Sequence, residues 1–136
     1  MERPIVKSRL MLSRPSEDAT EADAAIGQDL LDTLAAHKTE CVGMAANMIG
    51  ERKRIIVVDD GGRALLMYNP QITARAGEYE TSEGCLSLEG ERPCKRWRNI
   101  TVSYLDARFR HVTRRFSGWT AEIIQHEVDH CDGIVI

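Results

Sequence analysis

Gln125-His126-Glu127-Val128-Asp129-His130, a hexapeptide ending six residues before Ile136, sets the reading of this chain. On a helix, positions i and i+4 lie on one face, so His126 and His130 can grip a single metal ion while Glu127 stands beside it as a general base. Two ligands do not complete such a site. Catalytic zinc-like centres use three protein ligands and keep one position for water. Only Cys131, Asp132, Gly133, Ile134, Val135 and Ile136 follow. On a helix Cys131 points roughly 100° away from His130, and the remainder is too short to loop back, so the third ligand is expected upstream.

The upstream candidates are His37, His111, Cys41, Cys85 and Cys94. Cys85 lies in Ser82-Glu83-Gly84-Cys85-Leu86-Ser87-Leu88. There Gly84 lets the backbone pass close to an ion, and Leu-Ser-Leu alternates as a strand that could hold the sulfur rigidly. A free cysteine is commonly a small buried hydrophobe, but a metal motif short of one ligand shifts the reading of Cys85 toward coordination. Cys94 sits among charges beside Pro93, and Cys131 lies on the back of the metal helix. His37 ends a helix and suits its dipole, and His111 sits in a turn, so neither needs a metal.

Outward from the hexapeptide, Ala121, Ile124, Val128 and Cys131 are spaced three or four apart, which predicts a helix from Gly118 that Gly133 ends. A second helix is predicted from Thr20 to about residue 37. Thr20-Glu21-Ala22-Asp23 resembles a capping box, and Ala22, Ile26, Leu30, Leu31 and Leu34 recur at helical spacing, with Gly27 weakening it. Between the helices, Arg54 to Asp59 and Ala64 to Tyr68 flank Asp59-Asp60-Gly61-Gly62 as a hairpin that Asn69-Pro70 ends. Gln71 to Ala76 reads as a further strand, and Ile100 to Leu105 alternates as a half-buried strand that His111 to Phe116 joins. The expected class is α+β: antiparallel β-sheets packed around a C-terminal metal-binding helix, with an N-terminal helix, in one domain over residues 1–136.

Lys and Arg number 18 against 21 Asp and Glu, a formal charge of -3 that argues against nucleic acid as a main partner. Basic clusters at Arg92, Lys95, Arg96 and Arg98, and at Arg108, Arg110, Arg114 and Arg115, read as solvated faces. No stretch approaches the ~20 apolar residues of a membrane span, and Met1 to Lys7 has no apolar leader. A cytoplasmic location is therefore expected, with Cys41, Cys85, Cys94 and Cys131 free or metal-bound.

Three segments together resemble the peptide deformylase family, whose motifs are G-x-G-x-A-A-x-Q, E-G-C-L-S and Q-H-E-x-D-H. Glu83 to Ser87 matches the second fully and Gln125 to His130 the third. The first appears as Cys41-Val42-Gly43-Met44-Ala45-Ala46-Asn47-Met48, which keeps Gly43, Ala45 and Ala46 but carries Cys41 for the first glycine and Met48 for the glutamine. Order and spacing extend the resemblance over nearly the whole chain.

The resemblance implies a peptide deformylase-like metallohydrolase that removes formyl from N-formyl-methionyl peptides or nascent chain N-termini. It implies Cys85, His126 and His130 as metal ligands, Glu127 as acid and base, and the Leu86 N–H as an oxyanion donor. Glu83 and Arg96 would form a buried ion pair orienting the site, and Gly43, Met44 and Ile123 would line the methionine pocket. The ion implied is Fe2+, with Zn2+, Ni2+ or Co2+ also accepted, since this ligand set suits several first-row metals. Met48 replaces the glutamine that donates to the developing oxyanion and has no donor of its own, so reduced activity is expected. Asn47 carries an amide but is expected to point to the other face. Many bacterial members continue into a C-terminal helix or strand, so no ribosome docking through such an extension is expected. Two other readings remain: an amidase acting on another small formylated or acylated amine, and a non-catalytic formyl-peptide-binding homologue. Intact Glu127 favours catalysis, because a structural metal site needs no base.

Overall fold

Ile55-Ile56-Val57-Val58 is apolar without alternation because the strand that contains it, β2 (Ile55–Asp60), is covered on both faces. In the computed structural model, which describes residues 1–135 and leaves Ile136 of the expected domain outside, five antiparallel strands form one sheet in the order β1-β2-β3-β4-β5. The others are β1 (Gly43–Ala45), β3 (Arg63–Cys85), β4 (Leu88–Leu105) and β5 (His111–Ser117). Three helices accompany it: α1 (Arg9–Leu12), α2 (Ala24–Ala36) and α3 (Gly118–Cys131).

Period-two alternation sorts the core into two layers. Ala45, Ile56, Val58, Met67 and Val102 pack on Ala121, Ile124 and Val128 of α3. Met44, Ile55, Val57, Leu66 and Tyr68 pack on Leu30 and Leu34 of α2 and on Leu12. The sheet is therefore sandwiched between the two long helices. Gly27 serves this closeness: a Cβ there would lie 2.1 Å from the Tyr68 hydroxyl oxygen. The α2 N-terminus is preceded by a 3-10 turn, Glu21–Asp23, where the Asp23 carboxylate accepts the Thr20 N–H at 2.8 Å.

Three strand readings need correction, the first being Leu86-Ser87-Leu88, where Leu86 and Ser87 form a turn and not a strand. Asn69-Pro70 does not end a strand: β3 runs through it with a register shift between Tyr68 and Gln71, Asn69 adopting φ 52°. The Asn69 side chain holds the Ala19 backbone from both sides, accepting its N–H at 2.7 Å and donating to its carbonyl at 3.0 Å. The strand expected at Ile100 begins at Leu88, so β3 and β4 form one long hairpin whose tip carries Cys85. The short α1 lies outside the helices that the sequence periodicity predicts. No helix among the described residues is long and apolar enough to cross a membrane.

Candidate active site

Two elements from distant parts of the chain meet at the hairpin tip. Cys85 is the last residue of β3 and pairs with Leu88 across the connection Leu86-Ser87. Facing it, α3 is buried almost all round, with Ile123, Ile124, Gln125, His126, Glu127, Val128 and His130 all buried. Gln125 locks this helix to β4: its carbonyl oxygen accepts the Trp97 N–H at 2.9 Å and its amide donates to the Trp97 carbonyl at 2.8 Å. The result places Cys85 Sγ 3.3 Å from His130 Nε2, and one ligand atom from each of Cys85, His126 and His130 within 4.8 Å of the others.

A chain of charges orients this trio. Glu83 Oε1 lies 2.8 Å from His126 Nδ1. Arg96 grips Glu83 through Nε at 3.0 Å and Nη2 at 2.8 Å, and reaches Asp129 through Nη1 at 2.8 Å. Arg96 thus leaves the solvated basic cluster in which its neighbours sit and is 4% exposed. Asp129 and Gln125 belong to the hexapeptide, yet their roles depend on β4, which local spacing does not reveal. With Nδ1 tied to a carboxylate, His126 keeps Nε2 for a ligand, the usual support of a metal-bound imidazole.

Burial works against charge throughout this cluster, and neighbours decide the outcome. On Glu83 it is overridden by hydrogen bonds from His126 and Arg96, which hold the carboxyl well below the usual range. On His126 it is overridden by the partners Cys85 and Glu83, which push the metal-free imidazole up to about 10. On His130 nothing overrides it: burial, then the charges of His126 and Arg96, push the metal-free imidazole down to about 3. Burial raises Glu127 to about 7 against the pull of His126. That places a carboxyl near the value a general base needs at neutral pH.

A cavity of about 570 Å³ opens over the trio, lined by Gly43, Met48, Cys85, Leu86, Ile123 and Glu127 among others. Gly43 brings β1 against α3 so closely that a Cβ would sit 2.6 Å from Ile123 Cγ2 and 3.0 Å from Glu127 Oε2. Glu127 Oε1 is buried and without a hydrogen-bond partner among the described residues.

A family model described as polypeptide deformylase matches residues 3–136. A peptide deformylase of Clostridium beijerinckii is 50% identical over 136 residues, covering all of both chains. Among solved structures, peptide deformylases of Thermus thermophilus and Legionella pneumophila share 32% and 30% identity at TM-scores of 0.86 and 0.88, covering 99% of this chain and 83% of each of theirs. The chain belongs to the polypeptide deformylase family. It is accordingly a metallohydrolase that removes the formyl group from N-formyl-methionyl peptides.

The deformylase site departs from its expected form at the first motif. Met44, expected in the methionine pocket, is fully buried and faces the α2 layer with Val57, because it alternates with Gly43 and Ala45 along β1. Met48 does line the cavity, and its sulfur accepts the Ala45 N–H at 3.5 Å. Asn47 turns away, as its position suggests: its amide donates to the His130 carbonyl at 2.9 Å and so fastens the end of α3. Cys41, where the family has glycine, donates its thiol to the Gly43 carbonyl at 2.9 Å, and burial pushes that thiol up to about 12. The family is metal-dependent, and the trio fits an ion: its donors converge, the Glu83 carboxylate beside His126 Nδ1 leaves Nε2 for a metal, and thiolate with imidazole suits first-row metals.

Proposed function

We propose that residues 1–136 act as one deformylase domain in which Cys85, His126 and His130 hold a divalent ion, Fe2+ in the cell, and Glu127 transfers the protons. The observation that carries this reading is Glu127, a residue of the cavity wall whose buried Oε1 has no hydrogen-bond partner among the described residues, standing beside three converging ligands. When bound, the ion polarises the formyl carbonyl and lowers the pKa of water from 15.7 toward about 7. Glu127 accepts the proton of the water that attacks the formyl carbon, then returns it to the peptide nitrogen as the C–N bond breaks and formate leaves. Ile123 and Gly43 shape the wall against which the methionine side chain rests, and the Leu86 N–H donates to the formyl oxygen as its charge grows. The substrates are formylated nascent chains in the cytoplasm.

Protein purified without oxygen and loaded with Fe2+, Ni2+ or Co2+ is expected to release formate from a formyl-methionyl tripeptide amide. Absence of formate at high enzyme concentration, with bound metal verified by elemental analysis, would rule the reading out.

Met48 sets the efficiency. One oxyanion donor is worth roughly 2.7 to 4 kcal/mol in the transition state, and the Met48 thioether supplies none. Met48→Gln is expected to raise kcat by about tenfold or more, with less change in KM, because the donor acts on charge that develops after binding. A kcat equal to the parent's would show that another group already fills the role.

A further inference from the structure

Of the four free cysteines, Cys41 and Cys85 are among the described residues that line the cavity. Both are half-buried, and both pack against the core layer that faces α2. Cys131 is buried on α3, and Cys94 pairs with Thr81 farther along the β3–β4 hairpin. Cys41 stands just before β1, outside any helix or strand, and Cys85 ends β3 at the Leu86-Ser87 turn. Burial first, then the charges of Glu127 and Cys85, raise the Cys41 thiol, which puts the Cys85 sulfur within its electrostatic reach. The converging group comprises Cys85, His126 and His130 without Cys41, so among the described residues Cys41 is a neighbour of the ligands and not a fourth one.

A ligating cysteine acts as its thiolate, the form that oxidants attack, and here it borders a cavity open to solvent. Left alone, an oxidised thiol passes from sulfenic to sulfinic and then sulfonic acid, and the last stages are irreversible. A second thiol beside it captures the sulfenic acid first and stops the sequence at a disulfide. The family has glycine where this chain has Cys41, so the second thiol is a property of this chain's first motif.

We propose that Cys41 is a resolving thiol for Cys85, the two joining under peroxide in a disulfide that withdraws the sulfur ligand and that thiol reductants reopen. The consequence for the metal rests on the reading of Cys85 as a ligand. In the first step the Cys85 sulfur attacks one oxygen of hydrogen peroxide, the O–O bond breaks, and a sulfenic acid and water form. In the second the Cys41 sulfur attacks the Cys85 sulfur, the S–O bond breaks, and the departing hydroxide takes the Cys41 proton as a second water. Two thiols lose two electrons and one peroxide gains them.

Excess hydrogen peroxide on the reduced, metal-free protein is expected to remove two of the four free thiols. The chain should lose the mass of two hydrogens, and a non-reducing digest should yield the Cys41 and Cys85 peptides joined. The oxidised chain should no longer give the Co2+–thiolate absorption that reports the sulfur ligand, and dithiothreitol should restore it. Cys41→Ser and Cys41→Gly, the second carrying the family's own residue, should give that absorption before oxidation. Under peroxide they should gain two or three oxygens on Cys85 and fail to recover. Oxygen on Cys85 of the parent without the link, a link to Cys94 or Cys131 or between chains, or recovery of the variants equal to the parent's would overturn the switch and leave the ligand set intact. A linked chain that kept the Co2+–thiolate absorption would overturn the effect on the metal and, with it, Cys85 as a ligand.

Discussion

Glu127→Gln is expected to lower kcat by about 10² to 10⁴ while metal content stays that of the parent. The substitution keeps the shape that Gly43 packs against, with Glu127 Oε2 3.0 Å from the place a Gly43 Cβ would occupy. What it removes is the ability to accept a proton. Since Glu127 is not one of the three converging ligands, the ion should be retained. The acid limb of the pH profile offers a second readout. Burial lifts the Glu127 carboxyl to about 7 in the metal-free protein, and a nearby cation favours its charged form. The parent's kcat/KM should therefore fall as pH drops, with a midpoint below 7, and that limb should vanish from the variant's residual activity. Near-parental turnover in the metal-loaded variant would remove Glu127 from the proton-transfer role.

Much of the fold can be read locally because its signals are periodic. The α3 spacing, the α2 spacing and the Asp-Asp-Gly-Gly turn each encode an element within a few residues, and each is present. The first half of β4 lacks such a signal. From Leu88 to Arg98 only Arg96 is buried, so no apolar alternation marks the strand. Its order comes instead from pairing with β3. Asn69-Pro70 has the composition of a stop, and the residue that accommodates it within β3, Ala19, lies 50 positions away.

The site divides the same way. Cys85, His126 and His130 can be named from short motifs whose residue types carry the chemistry, and they lie together. Adjacency to Gly43 suggests the cavity face for Met44, but alternation along β1 puts the two on opposite faces. The part Asp129 plays is hidden in the sequence because its partner, Arg96, sits in a run of charges whose spacing reads as solvent-facing; only the family resemblance implies burial of that arginine, and with Glu83 alone. Burial of that arginine is a property of three elements meeting, β3 through Glu83, β4 itself and α3 through Asp129.

Arg96→Ala is therefore expected to be among the most damaging substitutions in the molecule. It leaves the Glu83 carboxylate buried without its guanidinium and frees Asp129, and removing one partner of a buried pair costs about 3–5 kcal/mol. The loss should appear in denaturant unfolding of the metal-free protein, where the ion cannot mask it. Loosening Glu83 also loosens His126, so metal affinity should drop by about 10- to 100-fold. The pH dependence has a defined sign. The folded pKa of Glu83 is depressed below the unfolded value of 4.5, so its contribution is fully present above that pH and is lost as pH falls toward the folded value. The stability gap between parent and variant should accordingly be widest above pH 4.5 and close on acidification. A double substitution, Glu83→Gln with Arg96→Met, separates the two consequences. Removing both charges together relieves the unpaired burial, so stability should recover in large part. Metal affinity should stay low, because an amide holds the His126 Nδ1–H more weakly than a carboxylate. Recovery of both properties in the double variant would mean that the pair serves packing alone and that His126 is positioned by the helix.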